Sequence, residues 1–220
     1  RYNVLKGSAK LPDSEKEITT WALFTNQYAK LWKNSLEYVN DALFYYSKWN
    51  GEYPYNHATA VEGALSAGAG MEYPNITIIG VAGDAKSLEN VIMHEVGHNW
   101  FYGILGSNER DHPWMDEGLN TYNESRYMNI KYPANEKNKI LQFAGLNKFN
   151  AIDYDALSYQ YVARENKDQA ISTAAPDMGD LNYGLITYKK TGLSFHYLKQ
   201  IVGDEALDIC EAVQRQNITL

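Results

Sequence analysis

Two of the five histidines in this 220-residue chain stand one helical turn apart, in the string His94-Glu95-Val96-Gly97-His98. On an α-helix that spacing puts both imidazoles on one face, close enough to share an ion. A catalytic zinc site takes three protein ligands from imidazole and carboxylate and leaves the fourth position to water. Glu117 is the candidate third ligand. Eighteen residues separate it from His98, room for one helix to end, a loop to turn and a second helix to return. Glu95 points off the ligand face, so it can sit beside the attacking water as general base instead of binding metal. The bland alternative for the pentapeptide alone is an amphipathic helix with two ordinary histidines. The downstream Trp114-Met115-Asp116-Glu117-Gly118 moves the reading to a single zinc ion. Asp116 reads either as a hydrogen-bond partner of a ligand or as a solvated helix residue.

Composition narrows the chemistry further. The single cysteine, Cys210, permits neither an internal disulfide nor a cysteine-built zinc site, so any metal must rest on histidine and carboxylate. A formal charge of -7 without basic blocks argues against nucleic acid or an anionic membrane surface and for a peptide or small-molecule partner. No run of about 18 apolar residues occurs, so no membrane span is expected in this chain. The start, Arg1-Tyr2-Asn3-Val4, has no apolar signal core. Cytoplasm and a bacterial exported compartment both remain open.

The elements that must position these residues can be read from periodicity. Residues 14–49 read as helix, in one piece or two. Ser14 and Glu17 suggest a capping box, and Trp21, Phe24, Tyr28, Leu31, Trp32, Leu36, Val39 and Leu43 recur at helical spacing. His57 to Leu65 is a weak strand, and Met71 to Val81, with Ile76, Ile78 and Ile79, a better one. Asp84 or Ser87 caps a helix over about Leu88 to Leu105 that holds the histidines. Pro113 opens another through about Lys131, carrying Glu117. Residues 132–180 read as loop-rich with short helical pieces, Tyr183 to Ile201 as helix, and Gly203-Asp204 as the start of a last helix reaching Leu220.

Several motifs, in order, resemble the zinc aminopeptidase family that includes alanyl aminopeptidase and leukotriene hydrolase. The strings are HEVGHNWF, PWMDEGLNTYNE, and GAGMEYPN over Gly68 to Asn75, with weaker support from FYYSKWNGEYPY and YKKTGLSFHYLKQIVGDEAL. The resemblance spans about Tyr45 to Ala206. It implies an α+β fold, a thermolysin-like metallopeptidase catalytic domain in which a small mixed sheet precedes a mainly helical lobe with the zinc site between them. On that reading residues 1–90 form a helix-and-sheet lobe and 91–220 a helical lobe. It also implies roles. Tyr188 would hydrogen-bond the oxyanion of the tetrahedral intermediate, with Tyr183 as its rival, because Thr191 stands where the family usually has glycine. Glu72 would bind a peptide's free α-ammonium group, in a motif that departs from the usual G-A-M-E-N. Gly68, Ala69, Gly70 and Met71 would line the substrate backbone, the glycines and alanine through their N–H and C=O groups.

The family usually carries further domains on both sides, so the chain is expected to be the catalytic part of a longer protein whose other domains are its partners. Zinc-dependent removal of N-terminal residues from peptides is the expectation. An endopeptidase, a catalytically weak zinc-containing peptide-binding domain, and a small-molecule hydrolase such as an epoxide hydrolase are the alternatives.

Overall fold

The structure is a computed structural model that describes residues 1–65, 70–133, 142, 143, 145 and 148–208. The described residues form two compact units, one comprising Arg1–Gly106 with Asp208 and the other Ser107–Leu207. Among the described residues no helix is long and apolar enough to cross a membrane.

The first unit is a five-stranded mixed sheet with helices packed against it. Strands β1 (Tyr2–Lys10), β2 (Glu17–Thr25), β3 (His57–Glu62), β4 (Gly70–Tyr73) and β5 (Ile76–Ile79) lie in the order β1-β2-β3-β5-β4. β1 and β2 form an antiparallel hairpin, β2, β3 and β5 run parallel, and β4 folds back antiparallel onto β5 as an edge strand. Helices α1 (Ala29–Trp32) and α2 (Ser35–Asn50) make the crossover between β2 and β3. One face of the sheet, carrying Ile18, Thr20, Ala22, Phe24, Ala58, Ala60, Thr77 and Ile79, is buried. Alanine at its centre allows helices to approach closely. α2 lies against β1 to β3, and α3 (Ala85–Phe101) against β3 to β5.

Two expectations are corrected here. Residues 17–25 are strand, not the first part of a helix. The run Ile18-Thr19-Thr20-Trp21-Ala22-Leu23-Phe24 buries every second side chain, and its β-branched and aromatic content suits a pleat better than a helix. Its 3.6-residue spacing was a coincidence of a nearly continuous apolar stretch. Residues 71–81 are not one strand either. Pro74-Asn75 turns the chain between β4 and β5, with Asn75 at φ 65°, a backbone region asparagine tolerates better than most residues.

The second unit is helical. A π-helical turn, Trp114–Gly118, runs directly into α4 (Leu119–Lys131). A 14-residue helix, Ala151–Arg164, begins with a reciprocal Asn150/Asp153 capping box, within a stretch expected to be loop-rich. A π-helical segment, Tyr183–Lys190, then continues into the helix Thr191–Val202. A last helix starts as expected at Asp204, and its far end lies outside the described residues.

His196, on the Thr191–Val202 helix, ties that helix to α4. Ser125 Oγ donates to Tyr122 O at 2.8 Å and so accepts from His196 Nε2 at 2.6 Å. Burial, with smaller contributions from Lys199 and Arg126, lowers the imidazole from its ordinary 6.5 to about 4. A folded state that disfavours the charged ring binds fewer protons than the unfolded chain as pH falls from about 6.5 to about 4. His196 therefore costs the fold nothing above pH 6.5 and destabilises it progressively through that window. His196→Gln is expected to flatten the decline in stability between those limits, read by urea unfolding at a series of pH values. An unchanged slope would remove His196 as its source.

Candidate active site

The helix that carries the two histidines is fixed at both ends. Of the two expected caps, Asp84 and not Ser87 takes the position, its carboxylate accepting from Ser87 N–H at 2.9 Å, a bond that holds its carboxyl below the usual range. At the other end Trp100 is fully buried, stacks on Tyr46 at 5.3 Å, and donates its indole N–H to Gly51 O at 2.9 Å. Tyr53 lies against the same indole at 5.1 Å. Truncating such an aromatic typically costs about 3–5 kcal/mol, so the end of α3 nearest His98 is stiff.

On this scaffold the Nε2 atoms of His94 and His98 lie 3.0 Å apart, with ring planes at 82°. His98 is buried and His94 half-buried. Two bonds of about 2.0–2.1 Å at a tetrahedral angle would separate ligating nitrogens by about 3.3 Å, so the pair has the spacing that one zinc ion bridges. In donor chemistry and geometry the two side chains fit zinc.

Glu95 and Glu72 join the same group. In the β4–β5 register Gly70 is opposite Ile79 and Glu72 opposite Thr77, and both partners belong to the face buried under α3. Gly70 and Glu72 therefore face the helix, while Met71, opposite Ile78, lies on the other face. Carboxylate oxygens of Glu72 and Glu95 and a ring nitrogen of His98 all lie within 4.8 Å of one another. Gly68 and Ala69 lie outside the described residues.

The hairpin that holds Glu72 is clamped to the histidine helix by residues the sequence reading did not single out. Asn99, next to His98, accepts from Asn75 N–H at 2.9 Å and donates to Val96 O at 2.9 Å. Asn75 O in turn accepts from Thr59 N–H at 2.9 Å. Its only signal in the sequence was the Pro74-Asn75 turn dipeptide.

In the second unit, Glu117 sits in the π-helical turn Trp114–Gly118, beside the fully buried Asp116. Tyr183 and Tyr188 both lie in the other π-helical segment, their rings edge-on at 6.0 Å. π-turns are rare and often accompany functional sites, and here both carry candidate residues and pack on each other. The contact runs through Gly118: a Cβ there would strike the Thr191 side chain and lie 2.8 Å from Thr187 O. Thr191, in the place where the resembled family has glycine, is fully buried and donates its hydroxyl to Ile186 O at 3.0 Å. Gly118→Ala is expected to destabilise the chain by about 1–3 kcal/mol, partly restored by Thr191→Ala, as measured by urea unfolding. Equal stability of Gly118→Ala and wild type would show that the turn yields freely.

Comparison with known proteins bears on the family and the fold. The profile of the peptidase family M1 domain matches residues 34–213. Leucine aminopeptidase 2 of Lodderomyces elongisporus is 26% identical over 163 residues, covering 64% of this chain and 24% of that protein. Human aminopeptidase B is 35% identical over 68 residues, 30% of this chain and 10% of that one. Among solved structures, the M1 zinc metallopeptidase from Deinococcus radiodurans superposes with a TM-score of 0.63 at 16% identity, covering 98% of this chain and 45% of that one. Native yeast LTA4 hydrolase superposes at 0.62 and 18% identity, with 97% and 33% covered. At such identities the structural likeness speaks for the fold. The chain spans about a quarter of leucine aminopeptidase 2 and under half of the Deinococcus enzyme. Since the family match runs over residues 34–213, most of the chain, the protein belongs to peptidase family M1.

Proposed function

We propose that the chain is the catalytic part of a zinc aminopeptidase, with His94, His98 and Glu117 holding one zinc ion and Glu95 as general base. The observation that carries the exopeptidase reading is the Glu72 carboxylate, placed within 4.8 Å of donor atoms of Glu95 and His98 and facing the same helix. A carboxylate there suits the free α-ammonium of a peptide, whose first carbonyl would then fall beside the base.

When bound, zinc supplies Lewis-acid polarisation of the scissile carbonyl and makes water nucleophilic near neutral pH. Glu95 takes the proton of the attacking water and returns it to the leaving amine, a cycle that needs only one carboxylate in reach of both. Tyr188 donates its phenolic hydrogen bond to the oxygen on which negative charge develops, favouring the transition state over the substrate. β4, an edge strand, pairs its backbone with the substrate, and Met71 contributes through its main chain. The side chain of the preferred first residue is left to loops. Further domains of a longer protein would supply the remaining walls of the cleft.

The test is hydrolysis of a panel of aminoacyl arylamides. Activity should vanish with a chelator and return at one equivalent of zinc. Turnover indifferent to the chelator would remove the zinc reading.

A further inference from the structure

Glu72 stands on β4, whereas Glu95 and His98 stand on α3, so the distance from an amine anchor to the reacting carbonyl depends on how β4 is held against that helix. Among the described strands β4 has one neighbour, β5, joined to it by the two-residue turn Pro74-Asn75. A short hairpin keeps its place only when packing or further bonds fix it. Tyr73, standing where the usual motif has asparagine, is exposed on the face turned away from α3. The residue that fixes the turn is Asn75. Its N–H donates to Asn99 Oδ1 at 2.9 Å, its carbonyl accepts from Thr59 N–H at 2.9 Å, and its Oδ1 lies 3.2 Å from the Tyr53 hydroxyl.

Two of these three contacts lead to the end of α3. Asn99 follows His98 directly and is 3% exposed, and its amide is oriented by donating to Val96 O at 2.9 Å. Tyr53 is fully buried, donates to His57 O at 3.0 Å, and rests its ring against Trp100. A turn that had only to close would be served by the tolerance of asparagine for the φ of 65° at Asn75. A buried, oriented amide reaching it from the residue beside His98 does more. We infer that Asn99 is a positioning residue for Glu72: it ties the β4–β5 turn to α3 and so sets the separation between the amine anchor and the group formed by Glu95 and His98. That separation decides which peptide bond meets the base. The inference rests on the reading of Glu72 as amine anchor and deepens it, because it says what holds the anchor in place.

Without the bond the hairpin is free to shift along α3. A misplacement of about 1 Å in a positioning group can cost on the order of a hundredfold in rate. Peptides with free and with blocked N-termini use the same zinc and the same base, so the loss specific to this inference falls on the preference for a free amine. A merely structural role would lower both rates together and leave their ratio alone. Leucine is the suitable replacement, close to asparagine in size but without an acceptor for Asn75 N–H.

The experiment measures kcat/KM of the zinc-loaded protein on one peptide with a free N-terminus and on the same peptide N-acetylated. The proteins compared are wild type, Asn99→Leu, Tyr53→Phe, Glu72→Gln and the double variant of Asn99→Leu with Glu72→Gln, with zinc content and thermal unfolding measured for each. Asn99→Leu should reduce the preference for the free peptide by about tenfold or more while zinc stays bound. Tyr53→Phe, which takes one hydroxyl from the same turn, should reduce it by about threefold. Because Asn99 acts through Glu72, its substitution should leave the preference where Glu72→Gln alone puts it. A wild-type preference in Asn99→Leu, alongside one lost in Glu72→Gln, would overturn the inference. So would a preference that falls again in the double variant. If Asn99→Leu loses its fold or its zinc, Tyr53→Phe decides, and a wild-type preference there would overturn the inference in the same way. A wild-type preference in Glu72→Gln would instead overturn the anchor reading on which the inference stands, so the two failures are distinguishable.

Discussion

Glu95→Gln is expected to lower kcat by roughly a hundred- to ten-thousandfold, the usual worth of a positioned general base, while zinc stays bound. Glutamine keeps the length and most of the shape of glutamate, so it occupies the same space against Gly70 and should not disturb the pairing of His94 and His98 at 3.0 Å. What it loses is the ability to take a proton from water and give it to the leaving amine. The effect should therefore fall on kcat, with KM little changed, since the substrate is held elsewhere. Metal analysis alongside steady-state kinetics checks both halves. Turnover within a few-fold of wild type would show that another group acts as base.

Glu72→Gln is expected to act on a different quantity. If the carboxylate pairs with the peptide's free ammonium group, its loss removes one partner of a charge-assisted contact in a partly buried cleft. Such losses cost about 2–5 kcal/mol. Glu72 is only half-buried, so the lower end applies, roughly thirty- to a hundredfold in kcat/KM. Substrates with a blocked amine, which cannot use the contact, should be cut no more slowly by the variant than by wild type. A common loss on free and blocked substrates would point to a structural role for Glu72, and the anchor reading would fall.

How much of this was legible in the sequence depended on how local each signal is. The histidine helix and its Asp84 cap were readable because a cap, a four-residue metal spacing and a helix are all set within one short segment. The strand Glu17–Thr25 was not, because its apolar run fits both periods and only the neighbouring strands decide which side chains are buried. The two π-helical segments left no trace, since a single extra residue in a turn barely disturbs helical periodicity.

Within the candidate site, the contrast is sharper. Residue types announced His94, Glu95 and His98, but what holds them did not show. Asn99 clamping Asn75 depends on contacts far apart in sequence. From the sequence Gly70 reads only as a residue lining the substrate backbone, and its closeness to Glu95 appears only once β4 is laid against α3. Thr191 looked like a departure from the family pattern, and the structure shows it filling the space that Gly118 leaves.

The central claim is that this chain removes residues from free peptide N-termini with zinc. The most direct measurement is kcat/KM of the zinc-loaded protein on a peptide with a free N-terminus and on the same peptide N-acetylated. The account predicts cleavage after the first residue of the free peptide, with the acetylated one slower by roughly thirtyfold or more. Equal rates on the two, or cleavage at internal bonds, would contradict it.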